Sequence, residues 1–289
     1  MKNIKTTLIL ATAALLLSSC EQLITEVDAP PSESKLVVYS VISPQDSVIE
    51  VKVKKSNPLF SDVTYQWDEE RFPPVINATV LLSGEGQSAT IPYDEALKTY
   101  RINREAFNIT PGGHYELKVM VPDFTQISAE CTVPEQIPPD IEITGSGITE
   151  ETGMEEWYFE FRFKDLPETG HFYLVNAAVI YQDPWVEESY AYFLGYKQGN
   201  ILASDKSNDG SYFNYRTYPL ALQYLESDNI WVSISLIDEN YYQYAQSVNN
   251  FQNDNPFSEP TPIYSNIDGG LGVFAGINSL IKSVPTELP

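Results

Sequence analysis

The chain has 289 residues, with 17 basic and 40 acidic side chains that give a formal net charge of −23 at pH 7. A field of that sign repels nucleic acid and anionic lipid headgroups, so the composition argues against proteins that bind either of them. With two cysteines in the whole chain, a disulfide-rich scaffold is excluded, and stability has to come from packing.

The first twenty residues have the three parts of a bacterial lipoprotein signal. Two lysines precede an apolar run from Leu8 to Leu17, and this run is too short to span a bilayer permanently. The sequence Leu-Ser-Ser-Cys that ends at Cys20 fits the lipobox, in which the thiol is acylated and the chain is cut before it. We therefore predict a signal peptide over residues 1–19 and a membrane anchor made by lipid on Cys20. A soluble periplasmic protein with a chance cysteine is the alternative.

Residues 20–34 are predicted to form a lipidated tether. They are polar and contain a Pro-Pro pair, and nothing among them could build a core. A flexible coil of this length spans roughly 20 Å, from about 5 to 6 Å times the square root of the residue count. The globular part is therefore expected to sit close to the membrane.

Residues 35–136 have the pattern of an immunoglobulin-like β-sandwich. In Val48–Val53, apolar residues alternate with Glu50 and Lys52, as in a half-buried antiparallel strand. Six or seven such short runs follow one another, and the turn residues Pro111-Gly112-Gly113 separate two of them. Cys131 lies on the apolar face of the last run, where we expect a core thiol and not a nucleophile.

Three prolines between residues 134 and 139 interrupt the strand pattern, and we place a domain boundary there. Residues 137–289 then predict a second β-sandwich, because Trp157–Phe163 and Ile230–Ile237 alternate clearly between apolar and polar positions.

The apolar period changes from two to between three and four residues near Asp238. Tyr241, Tyr244 and Val248 belong to one apolar stripe that continues to Phe251, which predicts a helix near residues 238–252 packed across the second sandwich. Asp238 is its predicted N-cap. The expected fold class is therefore all-β, with two immunoglobulin-like sandwich domains and one packed α-helix in the second.

No recognised catalytic or metal-binding motif is found in the sequence. His114 and His171 fall in different predicted domains, and neither Gly-x-Ser-x-Gly nor His-Glu-x-x-His occurs. Asp205–Gly210 has the oxygen-ligand spacing of half a calcium loop, but Arg216 replaces the glutamate at position twelve, which favours a plain turn. We predict no catalytic residue, no metal and no cofactor. A divergent hydrolase remains an alternative, because 40 carboxylates are available to meet in the fold.

Two tryptophans in polar stretches are candidate contact residues. Trp67 lies between residues 60 and 74, and Trp185 follows Asp183-Pro184. Exposed aromatic side chains are favoured at protein interfaces and as platforms for sugar rings, so we predict that Trp67 and Trp185 touch a partner, a glycan or another small ligand. Core packing is the competing interpretation.

A glycine-rich segment near the C-terminus predicts a structural turn that leads into a strand. Its glycines permit positive φ and close backbone approach, and apolar residues 271, 273 and 274 can enter the strand as cover. The segment lacks the lysine and hydroxyl residue of a P-loop, and no helix pattern follows. The residues assigned to this motif are Asn266, Gly269, Gly270, Gly272 and Phe274.

Together these features resemble a family of Gram-negative outer-membrane lipoproteins called domain of unknown function 4249. The resemblance rests on the lipobox, the opening strand Lys35–Val38, the turn and strand at Pro111–Leu117, the Tyr-rich helix at 241–251 and the Asn266–Phe274 ending. It covers most of the mature chain. It implies an outer-membrane location and a TonB-dependent receptor as partner, and it supplies no catalytic residues to carry over.

The sequence therefore predicts an outer-membrane-anchored lipoprotein, a non-catalytic accessory or binding component that works with a TonB-dependent receptor in substrate capture or uptake. The alternative is a carbohydrate-binding or adhesive surface lipoprotein that acts without a receptor.

Overall fold

The computed structural model describes residues 33–57, 72–136, 138–150, 153–182, 189–207, 209–221, 228–252 and 262–286. These residues are mostly in strands, with one α-helix, which confirms the predicted all-β class. Among them, no helix has the length and apolar character needed to cross a membrane. Cys20, Trp67 and Trp185 lie outside the described residues.

The strands follow the predicted alternation of apolar and polar residues. In chain order they are β1 (Leu36–Ile42), β2 (Val48–Lys55), β3 (Thr79–Gly84), β4 (Gln87–Ile91), β5 (Tyr93–Asp94), β6 (Thr99–Asn103), β7 (His114–Met120), β8 (Ile127–Thr132), β9 (Glu142–Thr149), β10 (Glu156–Lys164), β11 (Phe172–Gln182), β12 (Ser189–Phe193), β13 (Tyr196–Gln198), β14 (Leu202–Ser204), β15 (Tyr212–Thr217), β16 (Leu220–Ala221), β17 (Asn229–Ile237) and β18 (Leu271–Pro285). The helix α1 (Glu239–Gln252) lies between the last two strands.

The described strands pair into three sheets. The largest runs β12-β11-β17-β18-β1-β2-β6-β5, with β14 added beside β11. A second sheet runs β13-β15-β10-β16, with β9 on β10, and the third runs β4-β3-β7-β8. Each smaller sheet packs its apolar face on a different part of the largest sheet, as in sandwich folds.

Two apolar clusters fill the space between the sheets. The first is built from the inward residues of β1 and β2, and of β3, β7 and β8, with Phe274 from β18. The second packs four of the five aromatic residues of β10 against β11 and β17. Trp157, Phe159, Phe161 and Phe163 are all buried, as the alternation predicts.

The C-terminal strand β18 joins the two halves of the largest sheet. It pairs antiparallel with β17 from Ile237↔Ile277 to Asn229↔Pro285. It also pairs in parallel with β1, from Val37↔Leu271 to Ile42↔Gly276. The predicted boundary at residues 134–139 lies between the two apolar clusters, and the division into two domains stays a prediction.

The segment at the predicted boundary is held by side chains of the sheet. The Asn278 amide donates hydrogen bonds to the Pro134 carbonyl at 3.1 Å and the Gln136 carbonyl at 2.9 Å. The Asn278 carbonyl in turn accepts from Gln45 at 3.0 Å. This part of the chain is therefore attached to β18 and is not a free linker.

The helix begins where the sequence predicts. The Asp238 carboxylate accepts a hydrogen bond from the Tyr241 amide at 2.8 Å, which makes Asp238 the N-cap. Tyr242 stacks on Phe172 of β11 with ring centroids 4.5 Å apart, and Tyr244 lies 6.2 Å from Tyr39 of β1. The helix thus contacts both halves of the largest sheet. The sequence had predicted packing across the second sandwich only.

Candidate functional site: a lysine-lined groove and a buried polar cluster

A groove of about 1030 Å³ lies against β2 and combines apolar side chains with three lysines. Ligand sites in proteins have this composition, with mostly apolar walls and a few polar groups that fix the ligand's orientation. The residues that line the groove are Lys52, Lys54, Phe72, Pro73, Pro74, Ile76, Tyr93, Glu95, Leu97 and Lys98.

Strand β2 supplies two of the lysines through its alternation. Val51 and Val53 are buried in the first apolar cluster, and Lys52 and Lys54 point to the opposite, exposed face. Because successive side chains of a strand point to opposite faces, burying the valines fixes both ammonium groups on the groove side.

One wall of the groove is the turn between β5 and β6. The Asp94 carboxylate accepts hydrogen bonds from the backbone amides of Ala96 at 3.0 Å and Leu97 at 3.1 Å, which closes a tight Asx-type turn. Lys98 ends the turn with φ at 53°, in the left-handed region. The turn holds the Leu97 side chain 57% exposed, so its apolar surface is available to a ligand.

The other wall is the segment that leads to β3, which runs along β2 beyond the end of β6. The Val75 amide donates to the Val53 carbonyl at 2.9 Å. The Tyr100 hydroxyl donates to the Val75 carbonyl at 2.7 Å and accepts from the Ala78 amide at 2.8 Å. Ile76 between them is 65% exposed, although its backbone is fixed on both sides.

The charge of the groove opposes that of the whole chain. Among the described residues, its lining carries three ammonium groups and one carboxylate, that of Glu95. Lys52 forms an ion pair with Glu50 at 3.3 Å, whereas Lys54 has no ion-pair partner among the described residues. The groove is therefore a local site of positive potential in an acidic protein, and an anion would be attracted to it.

A second candidate is a polar cluster formed by Asp165, His171 and Asp205. One ligand atom from each lies within 4.8 Å of the others. The cluster adjoins a cavity of about 390 Å³ whose lining includes His171 and Asp238. Aspartate and histidine are metal ligands, so this geometry has to be tested against the hydrogen bonds that the three residues already make.

The Asp205 carboxylate is occupied by backbone donors. It accepts from the Gly170 amide at 3.0 and 2.8 Å and from the His171 amide at 2.8 Å, and His171 Nδ1 lies 3.1 Å away. These bonds hold the turn before β11 against the 3₁₀ turn at Asp205–Ser207. The half calcium loop seen in the sequence thus directs its first carboxylate to a neighbouring turn.

The Asp165 carboxylate is occupied as well. It accepts from the Tyr173 hydroxyl at 2.6 Å and from the Gly210 amide at 3.0 Å. Burial and this hydrogen bond to Asp165 raise the pKa of Tyr173. A metal ion would have to displace backbone hydrogen bonds on both aspartates, so the donor set does not fit a metal site, and we interpret the cluster as structural.

Cys131, the cysteine of β8, is 2% exposed in the first apolar cluster. Burial raises the pKa of its thiol well above the usual value. The group is therefore protonated and enclosed, which fits a core residue and not a nucleophile.

The glycine-rich segment forms a local structure around Asn266. The Asn266 amide nitrogen donates to the Phe274 carbonyl at 2.7 Å, and its carbonyl accepts from the Phe274 amide at 3.0 Å. The same nitrogen donates to the backbone carbonyl of Glu130 at 3.2 Å. The Asn266 side chain therefore makes, with the Phe274 backbone, the two hydrogen bonds that a neighbouring strand would otherwise make. The Phe274 ring is fully buried.

The glycines of this segment do different things. Gly269 and Gly272 have φ of 75° and 109°, and a Cβ on Gly272 would collide with the Val38 carbonyl oxygen. Gly270 does not have the positive φ that we expected, and it is instead crowded, because its Cβ would lie 2.9 Å from Ile267 and 3.0 Å from Leu36. Leu271, which was expected to give apolar cover, is 37% exposed.

Sequence reasoning did not identify either the groove or the polar cluster. Lys52 was interpreted only as a polar position of a half-buried strand, and Lys54 lies just beyond the run Val48–Val53 on which that prediction rested. The groove exists because two segments distant in sequence flank that strand, and no local pattern records this.

A family model described as Domain of unknown function (DUF4249) matches residues 24–283. No curated protein matches the chain. The matched range includes the helix, both sides of the groove and all strands except the last two residues of β18. The chain therefore belongs to the family named domain of unknown function 4249.

Proposed function

We propose that this protein is a lipid-anchored outer-membrane lipoprotein that binds a ligand or partner and assists a TonB-dependent receptor in substrate capture or uptake. Its lipobox at Cys20 supports the anchor, because acylation of that thiol gives a durable membrane attachment. The receptor partnership is supported by the resemblance to the outer-membrane lipoproteins of the domain of unknown function 4249 family, which implies a TonB-dependent receptor as partner.

The lysine-lined groove is the observation that carries the binding role. One wall is fixed by a backbone hydrogen bond to β2 and by the Tyr100 hydroxyl, and the other by the Asp94 carboxylate, yet they leave Ile76 and Leu97 exposed. Exposed apolar side chains on a rigid support lose little conformational entropy when a ligand covers them. This arrangement suits binding.

A carbohydrate platform is less well supported by the exposed face of the second sheet. Tyr158 and Tyr212 lie on that face, but each ring is already covered on one side. The Arg216 guanidinium lies 3.9 Å from the Tyr158 ring centre, and that of Arg162 lies 4.2 Å from Tyr212. A sugar ring needs an open aromatic face for stacking, so these contacts would have to break first.

Co-purification tests the proposed partnership. The tagged, lipidated protein is extracted from outer membranes in mild detergent, and proteins that co-purify are identified by mass spectrometry. A receptor-sized barrel is expected with the wild type. Its absence under conditions that preserve other envelope complexes would contradict the proposal.

Labelling with a clickable fatty acid tests the anchor. The Cys20→Ala variant should take up no label and should be found as an uncut precursor or in a soluble fraction, because the sequence offers no other acylation site in a lipobox. A variant that keeps both the label and its place in outer membranes would disprove the lipoprotein assignment.

A further inference from the structure

We infer that the lysine-lined groove binds single-chain amphiphiles with an anionic head, such as a fatty carboxylate. This inference rests on the proposed function in one respect, namely that the groove is a ligand site, and it adds the chemical class of the ligand. The two parts of such a molecule correspond to two sets of residues that lie side by side in the groove.

The apolar part of the ligand would be covered by the two walls. Ile76 is 65% exposed on one wall and Leu97 is 57% exposed on the other. The segment of Ile76 is held by a backbone hydrogen bond to β2, and the turn of Leu97 is held by the Asp94 carboxylate, so their exposure results from the fold and does not need a loose loop. Covering these side chains with a hydrocarbon chain removes apolar surface from water on both partners.

The anionic head would meet the lysines of β2. The Lys54 ammonium has no ion-pair partner among the described residues, and Lys52 shares its charge only with the half-exposed Glu50, at 3.3 Å. Nearby Arg101 lies 3.7 Å from both Glu50 and Asp94, which leaves it less available. Lys54, a cation with no ion-pair partner in the described part of the chain, therefore lies inside the groove.

The charge of the rest of the chain makes this arrangement selective. With a net charge of −23, most of the surface repels an anion, and the groove is a place where an anion gains both electrostatic attraction and apolar contact. A neutral amphiphile would gain only the apolar contact. A small anion would gain only the attraction, which is screened at physiological salt.

Calorimetric titration with dodecanoate tests the inference. The chain is expressed without residues 1–19, the predicted signal peptide, and carries Cys20→Ala, so that neither the apolar signal run nor an acyl group is present and no detergent competes with the ligand. Dodecanoate, below its micelle concentration, should bind at one site. Dodecyl maltoside, which has the same chain without a charge, and butanoate, which has the charge without the chain, should each bind at least about ten-fold more weakly.

Variants locate the site. Lys54→Gln should weaken dodecanoate binding about five-fold, the ratio that corresponds to one exposed charge interaction. Ile76→Asp should weaken it about ten-fold or more, because it removes apolar cover and places a carboxylate beside the ligand. Lys164→Gln is the matched control, since Lys164 is exposed on β10 in another sheet, and it should leave the affinity unchanged. Thermal melts verify that each variant is folded.

Three results would overturn the inference. They are no binding of dodecanoate, equal binding of dodecanoate and dodecyl maltoside, and affinities that Lys54→Gln and Ile76→Asp leave unchanged in folded protein. Receptor co-purification is measured separately on the lipidated protein. A receptor that co-purifies while dodecanoate fails to bind would refute the ligand class alone, whereas dodecanoate binding without a receptor would refute the partnership alone.

Discussion

Protonation of Asp238 is expected to stabilise the protein, and replacing this residue by asparagine should expose the effect. The carboxylate joins α1 to β18, since one oxygen accepts from the Tyr241 amide at 2.8 Å and the other from the Gly276 amide at 3.0 Å. Both hydrogen bonds and the helix N-terminus favour the charged form. Burial opposes them and is the largest influence, so that it raises the pKa of Asp238 from 3.8 to about 6.

The sign and size of the effect follow from linkage. The folded protein holds the Asp238 proton more tightly than the unfolded chain, so the free energy of unfolding falls as pH rises from about 4 to about 6. The interval between 3.8 and about 6 corresponds to about 3 kcal/mol, at 1.36 kcal/mol for each pH unit. Above pH 6 this stabilisation has been lost, and below about pH 4 it is present in full.

Urea unfolding between pH 4 and 7 measures this difference for the wild type and for Asp238→Asn. Glu239 and His171 line the same cavity, but they are present in both proteins, and their contributions cancel in the difference. The wild type should lose about 3 kcal/mol relative to the variant across this range. Parallel curves would show that the Asp238 pKa is not raised. A wild type that gains stability with pH would show that the hydrogen bonds outweigh burial.

Three further predictions concern the C-terminal strand and its neighbours. Phe274→Ala should reduce the free energy of unfolding, measured in urea, by about 3 to 5 kcal/mol, because its ring is fully buried. The control Phe251→Ala, at a residue 49% exposed, should change it little. Gly272→Ala should lower the melting midpoint more than Gly86→Ala. Both glycines have positive φ, but only the Gly272 position is closed by Val38, and equal shifts would refute the role of close approach. Limited proteolysis between residues 134 and 139 should give two fragments that elute together until denaturant is added, because β1 of the first fragment pairs with β18 of the second. Fragments that separate in buffer would contradict this pairing.

Local patterns in the sequence predicted the local structure well. Four of the five aromatic residues of β10 are buried, because a period of two places all four on the same, inward face. The helix begins at Asp238 because an aspartate there can accept from an amide of the first turn. The stripe on this helix was extended one turn too far, since Phe251 is 49% exposed at its end.

Pairing between distant strands could not be predicted from these patterns. Alternation shows which face of a strand is buried, but it does not show which strand lies beside it. The parallel pair of β1 and β18 joins residues 37–42 to 271–276, close to the two ends of the described chain. The turn at Asn266–Phe274 was expected to enter a strand, but its neighbour on β1 has no local signal.

The groove escaped prediction for the same reason. The alternation in Val48–Val53 placed Lys52 on the polar face of a strand, and most such faces are only solvated. What distinguishes this face is the position of Ile76 and Leu97 on either side of it, and both positions depend on tertiary contacts. Ile76 is held by bonds of its neighbours to β2 and to Tyr100, and Leu97 by the turn at Asp94.

The placement of this groove also bears on how a ligand could affect the rest of the molecule. Lys52 lies directly opposite Tyr39 in the β1–β2 ladder, and the Tyr39 ring contacts Tyr244 of α1. The floor of the groove is the exposed face of β2, whose other face packs into the first apolar cluster, and such cores resist continuous deformation. Ligand binding there should therefore depend on charges and apolar surfaces that are already in place, so that selectivity comes from preorganisation and not from closure of the protein around its ligand.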